Sequence, residues 1–225
     1  NFGPILMGML GGLALFLFGI DRMSMALKLI AGDRLRQILA KLTTNRFTGA
    51  AAGAAVTSII QSSSVTTVLV VGFISAGLMN LSQSIGIIMG ANIGTTMTAQ
   101  IIAFKVTHYA LFIIAVGFSL SFFVKRERVR HYGKMIMGLG LVFYGMQLMS
   151  DGAKPLQSYA PFINMMKNMN APLLGITFGA IFTALVQSSS ATTGIVIVLA
   201  SQGLLPLDAG IALIFGANIG TCFTA

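Results

Sequence analysis

The stretch Gln61-Ser62-Ser63-Ser64-Val65-Thr66-Thr67 occurs twice in this chain. It returns 126 residues later as Gln187-Ser188-Ser189-Ser190-Ala191-Thr192-Thr193. Apolar runs of 14 and 15 residues, 47–60 and 65–79, flank the polar residues of the first copy. Each run is too short to cross a bilayer, which takes about 20 residues. The pattern therefore predicts a re-entrant hairpin with a tip buried at membrane depth, where irregular backbone is tolerated only inside protein or beside a water-filled cavity.

The repetition extends well beyond these seven residues. An ungapped alignment of 47–99 with 173–225 contains 25 identities in 53 positions. Gly90-Ala91-Asn92-Ile93-Gly94-Thr95 returns as Gly216-Ala217-Asn218-Ile219-Gly220-Thr221, and Leu15, Gly19 and Ser24 return as Leu141, Gly145 and Ser150. We therefore predict two repeats, 1–126 and 127–225, and expect the second to be truncated at its C-terminal end, because it contains no equivalent of residues 100–124.

Composition indicates a membrane protein. The chain is 56% hydrophobic and 8% charged, whereas an ordinary soluble domain carries about 25% charged residues. The net charge of +9 does not indicate nucleic acid binding, because the basic residues flank apolar segments instead of forming one face with interleaved aromatics.

We predict an all-α polytopic fold with a re-entrant helical hairpin and a broken transmembrane helix in each repeat. The first repeat has a spanning helix from about residue 4, an interfacial helix over 33–46, a hairpin over 47–79, a broken helix over 82–104 and a spanning helix over 106–124. The second has a spanning helix over 133–150, an interfacial segment over 151–170, a hairpin over 172–205 and a broken helix over 207–225. The breaks are expected at the two Gly-Ala-Asn-Ile-Gly-Thr segments, since paired glycines around an asparagine favour unwinding.

The direction of the repeats follows from the number of crossings. That number is odd before residue 127, so the second repeat enters the membrane inverted. Eleven of the 14 Lys and Arg residues then fall on one face, which the positive-inside rule makes cytoplasmic. We expect a multi-pass protein of the cell (inner) membrane, with residues 31–46 and 125–132 in the cytoplasm.

The hairpin tips have the chemistry of an anion site. Each tip places three hydroxyls and a carboxamide just before a helix start, whose free N–H groups and positive dipole suit an anion without any Arg or Lys. A tetrahedral oxyanion needs many such donors. The predicted anion ligands are Ser62, Ser63, Ser64, Ser188, Ser189 and Ser190.

Neutral oxygens beside the same tips suit a cation such as sodium. A bound cation would also offset the cost of placing the anion's charge at membrane depth. The predicted sodium ligands are Gln61, Thr66, Thr67, Asn92, Gln187, Thr192, Thr193 and Asn218.

The duplicated Gln-Ser-Ser-Ser, the Thr-Thr that follows it and the Gly-Ala-Asn-Ile-Gly-Thr echo resemble the type II sodium/phosphate cotransporters and their bacterial relatives. The resemblance implies uptake of inorganic phosphate coupled to sodium entry by alternating access, with both bound between the hairpins. It implies sodium ions but no organic cofactor, and no enzymatic activity. Bacterial relatives often have more membrane helix and a cytoplasmic regulatory domain after this region. We therefore also expect a C-terminal regulatory domain that is missing here, or alternatively a homodimer.

Several alternatives stay open from the residues alone. The serines could serve helix packing, as small polar residues do in membranes, and Asn92 and Asn218 could cap helix ends. Sulfate or a small carboxylate could use the same donors as phosphate. A channel is the first rival function. An intramembrane serine hydrolase is the second, although no His or Lys base lies near the serines.

Overall fold

A computed structural model describes residues 2–31, 37, 45–103, 107–159 and 172–224, and nine α-helices lie within this part of the chain. The helices are α1 Phe2–Ala31, α2 Arg46–Ile60, α3 Ser63–Ser75, α4 Leu81–Ala103, α5 Ala110–Phe123, α6 Glu127–Ala153, α7 Pro172–Val186, α8 Ser189–Ser201 and α9 Leu207–Thr221. Short 3₁₀ turns lie at Thr107–Tyr109, Lys154–Ser158 and Cys222–Thr224. The predicted all-α class is confirmed, and no strand occurs in the described ranges.

The duplication in sequence has a counterpart in the helix bounds. Helices α2, α3 and α4 begin 126 residues before α7, α8 and α9. The turns that follow α3 and α8 each contain a glycine in the left-handed region, Gly77 at φ 71° and Gly203 at φ 68°. Only glycine adopts that conformation without a steric penalty. The same local design therefore occurs twice.

Helices α1 and α6 pack antiparallel through glycines. A Cβ atom on Gly12 would lie 2.6 Å from the carbonyl oxygen of Gly145, and one on Gly19 would lie 2.7 Å from that of Gly138. Such close backbone approach is typical of membrane helices that pack on small residues. Gly12 aligns with Gly138 in the repeat and Gly19 with Gly145, so each of the two contacts is the repeat equivalent of the other.

The largest buried cluster joins α1, α6 and α8. Phe16 and Val142 occupy repeat-equivalent positions on α1 and α6, and both are buried there together with Val198 of α8. The edge of the Phe16 ring lies against Gly194 of α8, where a Cβ atom would be 2.6 Å from Cζ of Phe16. The cluster therefore joins α8, which belongs to the second predicted hairpin, to the long helices α1 and α6 of the two repeats.

The predicted helix breaks at Gly90–Thr95 and Gly216–Thr221 are wrong, because α4 and α9 run through these segments as α-helix. The glycines serve close packing instead of unwinding. A Cβ atom on Gly90 would lie 2.0 Å from the carbonyl oxygen of Ala50 in α2, and one on Gly216 would lie 2.1 Å from that of Ile176 in α7. The motif therefore seats α4 on α2 and α9 on α7.

Several predicted bounds shift in the structure. The helix predicted over 106–124 is α5, which begins at Ala110, and the helix predicted over 133–150 is the longer α6, which begins at Glu127. The helix predicted over 207–225 ends at Thr221. Most of the interfacial helix predicted over 33–46 lies outside the described residues, although Arg46 begins α2 after a capping box in which the Asn45 carboxamide accepts from the Thr48 N–H at 2.8 Å. Residues 160–170 of the second interfacial segment also lie outside them.

Length and composition single out Gly3–Ala31, in α1, as the one helix of the described residues that suffices to cross a bilayer. Five shorter apolar helices accompany it, namely α3, α5, α7, α8 and α9. Large apolar side chains face outward on several helices, among them Met7 of α1, Phe123 of α5 and Leu185 of α7, each more than 70% exposed. Such extensive apolar surface is rare on monomeric soluble proteins and marks contact with a membrane or a partner.

Candidate functional site

The two predicted hairpins share an unusual backbone conformation at their tips. Gln61, between α2 and α3, has φ 59°, and Gln187, between α7 and α8, has φ 58°. A non-glycine residue in this left-handed region costs about 1–2 kcal/mol. The conformation ends each preceding helix: the Gln61 N–H still donates to the Thr57 carbonyl at 2.7 Å and the Gln187 N–H to the Thr183 carbonyl at 2.7 Å, and the backbone then turns away. Both tips are therefore sharp helix breaks with a strained residue at the same position.

The first serine of each triplet caps the next helix. The Ser62 hydroxyl oxygen accepts from the Val65 N–H at 3.4 Å, and the Ser188 hydroxyl oxygen accepts from the Ala191 N–H at 3.2 Å. This is the usual role of serine at the N-cap. A capping hydroxyl accepts through its oxygen and still carries a proton that it can donate. The predicted role of Ser62 and Ser188 as anion ligands stays a prediction.

The following serines lie in the first turns of α3 and α8. Ser63, Ser189 and Ser190 are buried, at 5%, 9% and 7% exposure. Their hydroxyls make no hydrogen bond within the described part of the chain. The N–H groups of a first helical turn have no intrahelical partner, so each tip combines unpaired hydroxyls with a positively polarised helix start. Ser64, the equivalent of Ser190, is half-buried and has a polar contact of its own.

A pair of threonines bridges the two helices at each tip. The hydroxyls of Thr57 and Thr66 lie 2.9 Å apart, and those of Thr183 and Thr192 lie 2.6 Å apart. All four side chains are buried. Thr66 and Thr192 are predicted sodium ligands, whereas Thr57 and Thr183 were missed. The signal for them was present, since they are identical in the repeat alignment and lie nine residues before Thr66 and Thr192.

The second threonine of each Thr-Thr pair lies on the same helix. The Thr67 hydroxyl donates to the Ser63 carbonyl at 2.9 Å. Its equivalent, Thr193, is half-buried. Both remain predicted sodium ligands, because a hydroxyl that donates to a carbonyl keeps lone pairs for a cation.

The two motifs of each repeat meet near the tip. A Cβ atom on Gly94 of α4 would lie 2.8 Å from Cβ of Thr57, and one on Gly220 of α9 would lie 2.8 Å from Cβ of Thr183. Asn92 and Asn218 are half-buried on these helices. Both lie inside helices, so the alternative that they cap helix ends is wrong. Their assignment to sodium stays a prediction.

The two tips differ in their surroundings. Gln61 is buried, and its carboxamide donates to the Ser58 carbonyl, whereas Gln187 is exposed. The hydroxyl of Ser24 in α1 donates to the Ile60 carbonyl, directly before the first tip. Its repeat equivalent, Ser150 in α6, instead accepts from the Gln202 carboxamide at the far end of α8. Ser24 and Ser150 were noticed in the sequence only as marks of the repeat.

The second hairpin also packs more deeply than the first. Helix α8 contacts α4, α6 and α1, whereas α3 packs mainly on α4 and α2. Seven residues of α8 are buried but only three of α3, namely Ser63, Thr66 and Val70. The two repeats therefore hold their hairpins in different environments.

The sequence of the chain matches a family model and several known proteins. The family model for the Na+/Pi-cotransporter matches residues 15–151 and 158–225. The chain is 29% identical over 211 residues to YqeW, an uncharacterized protein of Bacillus subtilis, covering 93% of this chain and 68% of YqeW. It is 27% identical over 217 residues to the "Putative inorganic phosphate export protein YjbB" of Escherichia coli K12. That match covers 96% of this chain but 40% of YjbB, so the chain spans less than half of that relative.

A mammalian relative matches over a shorter segment. Sodium-dependent phosphate transport protein 2A of Rattus norvegicus is 40% identical over 99 residues, which is 42% of this chain and 15% of that protein. No solved structure matches the chain. With its family model covering nearly all of the sequence, the chain belongs to the Na+/Pi-cotransporter family, whose members are membrane transporters and not enzymes.

Proposed function

We propose that the chain is the membrane core of a secondary transporter that couples sodium entry to the movement of inorganic phosphate by alternating access. The observation that carries the proposal is the pair of tips, each with a left-handed glutamine and buried serine residues at the start of a helix. The family and the names of YjbB and transport protein 2A favour phosphate as the anion.

The anion is held by neutral donors from both tips in this proposal. Ser63 and Ser189 begin α3 and α8, where unpaired N–H groups and the helix dipole favour negative charge. The hydroxyls of Ser63, Ser189 and Ser190 add donors. The proposed ligands of the phosphate include no Lys or Arg side chain. Neutral donors select the anion and still allow it to dissociate on the other side of the membrane.

Sodium binds beside the anion through neutral oxygens. Thr57 and Thr183 join the predicted ligands, because each shares a buried hydroxyl contact with Thr66 or Thr192. Carbonyl groups at the ends of α2 and α7 are further candidates, since a broken helix leaves its last carbonyls available. Sodium would offset the charge of the phosphate, which gives coupling its physical reason.

The repeats are inverted in this proposal. Support comes from the antiparallel contact of α1 with α6, in which Gly12 meets Gly145 and Gly19 meets Gly138. Two equivalent helices that exchange their contacts while running in opposite directions imply a two-fold axis perpendicular to both. A repeat pair related in this way would have opposite orientations in the cell (inner) membrane, with residues 125–132 in the cytoplasm and re-entrant hairpins entering from opposite sides.

The difference between the two tips fits one end state of an alternating cycle. Ser24 contacts the carbonyl next to the first tip, whereas Ser150 contacts the far end of the second hairpin. In the opposite state the two serines would exchange roles, so that Ser150 approaches the Val186 carbonyl. Inverted repeats make two such states close in energy, because each is built from the contacts of the other.

Export is the second candidate direction, and the name of YjbB favours it. The same carrier runs either way, because the direction of net flux follows the gradients and not the binding residues. Measurements in both directions therefore belong to the test.

The test is radiolabelled phosphate flux in proteoliposomes, with and without a sodium gradient. We expect an inward sodium gradient to drive phosphate accumulation. Ser63→Ala and Ser189→Ala should each raise the half-saturating phosphate concentration about tenfold or more, since a hydrogen bond to a charged group contributes about 1.5–3 kcal/mol.

The matched controls are Ser75→Ala and Ser201→Ala, which remove exposed hydroxyls at the far ends of α3 and α8 and should leave flux unchanged. Undiminished flux in both Ser63→Ala and Ser189→Ala would remove these hydroxyls from the mechanism. Phosphate flux that needs no sodium gradient and only dissipates its own gradient would support the channel instead.

A further inference from the structure

A cavity of about 450 Å³ lies where the end of α1 meets the beginning of α6. Its described lining residues are Leu29, Ile30, Arg128, His131 and Tyr132. The cavity is separate from the hairpin tips, since none of these residues belongs to the predicted transport site. It also has no copy in the other repeat, because Arg128, His131 and Tyr132 align with Phe2, Ile5 and Leu6. The duplicated transport machinery therefore does not explain it.

The polar side chains of the cavity suit an anion. Arg128 has a planar guanidinium that can donate two parallel hydrogen bonds to a phosphate. Tyr132 adds a phenol and His131 an imidazole. The Nδ1 atom of His131 is buried and has no hydrogen-bond partner in the described part of the chain. A buried polar atom without a partner is unfavourable, so a rotation of the imidazole that brings Nδ1 to a ligand in the cavity would relieve this cost.

The surrounding charge is strongly positive. Lys125, Arg126 and Arg130 are exposed close to the lining residues in sequence, and Glu127 is the acidic residue of this segment. The first N–H groups of α6 add the positive end of a 27-residue helix. The described charges beside the cavity therefore attract negative charge.

The opposite wall is apolar. Leu29 and Ile30 line the cavity together with the charged residues, which suits a phosphate that is attached to an apolar body. Basic pockets beside membrane helices on the cytoplasmic side bind the headgroups of anionic lipids. We propose that this cavity binds the phosphate group of an anionic phospholipid of the surrounding membrane, with free inorganic phosphate as the other source of the same chemistry.

Ligand binding in the cavity can be followed through the NMR signal of His131 in the full chain. The chain contains two histidines, and His108→Gln leaves a single histidine signal in the ¹⁵N NMR spectrum of the protein in detergent. We expect the His131 signal to shift on titration with short-chain phosphatidylglycerol and not with a short-chain diacylglycerol, which lacks the phosphate. A parallel titration with inorganic phosphate identifies the source, and a saturable shift in either arm supports the site.

The variants make the test specific to the cavity. Arg128→Gln should raise the half-saturating ligand concentration about tenfold or more, because it removes charge-assisted hydrogen bonds to the phosphate. Arg130→Gln, which removes an exposed charge two residues away that does not line the cavity, should change it less than about twofold. No saturable shift in either arm, or equal losses in the two variants, would overturn the proposal. A shift that disappears in Ser63→Ala/Ser189→Ala would also overturn it, because His131 would then report the hairpin site.

Discussion

Individual residues at the tips do more than supply ligands. Gln61 and Gln187 hold the left-handed conformation that ends α2 and α7, while Ser62 and Ser188 cap the helices that follow. The sequence predicted the location of the breaks because polar residues interrupt apolar runs. It did not predict the left-handed glutamines, since that region is usually occupied by Gly or Asn. It also missed Thr57 and Thr183, which recur in the repeat but meet Thr66 and Thr192 only when the two helices pack together.

The backbone role of Gln187 can be separated from its side-chain role. Gln187 is exposed, so its replacement disturbs little packing. Gln187→Gly should keep or raise the melting temperature in detergent, because glycine adopts positive φ without strain. Gln187→Val should lower the melting temperature, because a β-branched residue is strongly disfavoured in this conformation. The expected loss in the free energy of unfolding is about 1–2 kcal/mol.

Sodium-driven phosphate flux should fall in both Gln187 variants if the carboxamide is a sodium ligand. Equal melting temperatures for the glycine and valine variants would contradict the proposed strain. Normal flux in Gln187→Gly would limit the role of Gln187 to the backbone.

Helices are positioned chiefly by glycines in this chain. The sequence predicted that each Gly-Ala-Asn-Ile-Gly-Thr segment unwinds, but the structure shows continuous helices seated on α2 and α7. Glycine favours both irregular backbone and close helix packing, and the sequence alone did not distinguish the two. The neighbouring helix decides the outcome, because the space beside Gly90 is filled by the backbone of Ala50.

Gly90→Ala tests this packing role. The added methyl group would lie 2.0 Å from the Ala50 carbonyl oxygen, so α4 must move away from α2 at a cost of about 1–3 kcal/mol. We expect a lower melting temperature in detergent. Gly72→Ala is the matched control in the same repeat, because a Cβ atom there meets nothing within 4 Å. It should hold or raise the melting temperature, since alanine favours helix over glycine by about 0.5–1 kcal/mol. Similar losses in both variants would show that general helix effects, not the contact with Ala50, set the cost.

The whole molecule consists of two related units that the sequence revealed through one constant offset. Repetition, apolar runs and charge distribution were enough to predict the helical class, and the helix breaks at Gln61 and Gln187 followed from the broken apolar runs. The unequal packing of the hairpins was not predictable, because Phe16 and Gly194 differ from their repeat equivalents Val142 and Val68 in ways that matter only once α8 contacts α1. The repeat in the sequence therefore predicts the helices of each unit but not how differently α3 and α8 pack.

The proposed opposite orientation of the repeats has a direct consequence for accessibility. Ser82 and Asp208 are repeat equivalents and both are exposed at the beginning of α4 and α9. In a Cys222→Ser background, Ser82→Cys should react with a membrane-impermeant thiol reagent from the cytoplasmic face, and Asp208→Cys from the outer face. Inside-out and right-side-out vesicles give the two measurements. Reaction of both cysteines from the same face would contradict inverted repeats.

Hydrogen–deuterium exchange of the unmodified chain tests the central claim, that one phosphate and its sodium are held between both tips. The N–H groups of residues 62–66 and 188–192 include the proposed donors, so their exchange rates report the site at each tip. We predict that phosphate slows exchange at both tips over the same concentration range, and that it does so in sodium but not in choline. Slower exchange at one tip alone, at neither tip, or at both without any need for sodium would contradict the account.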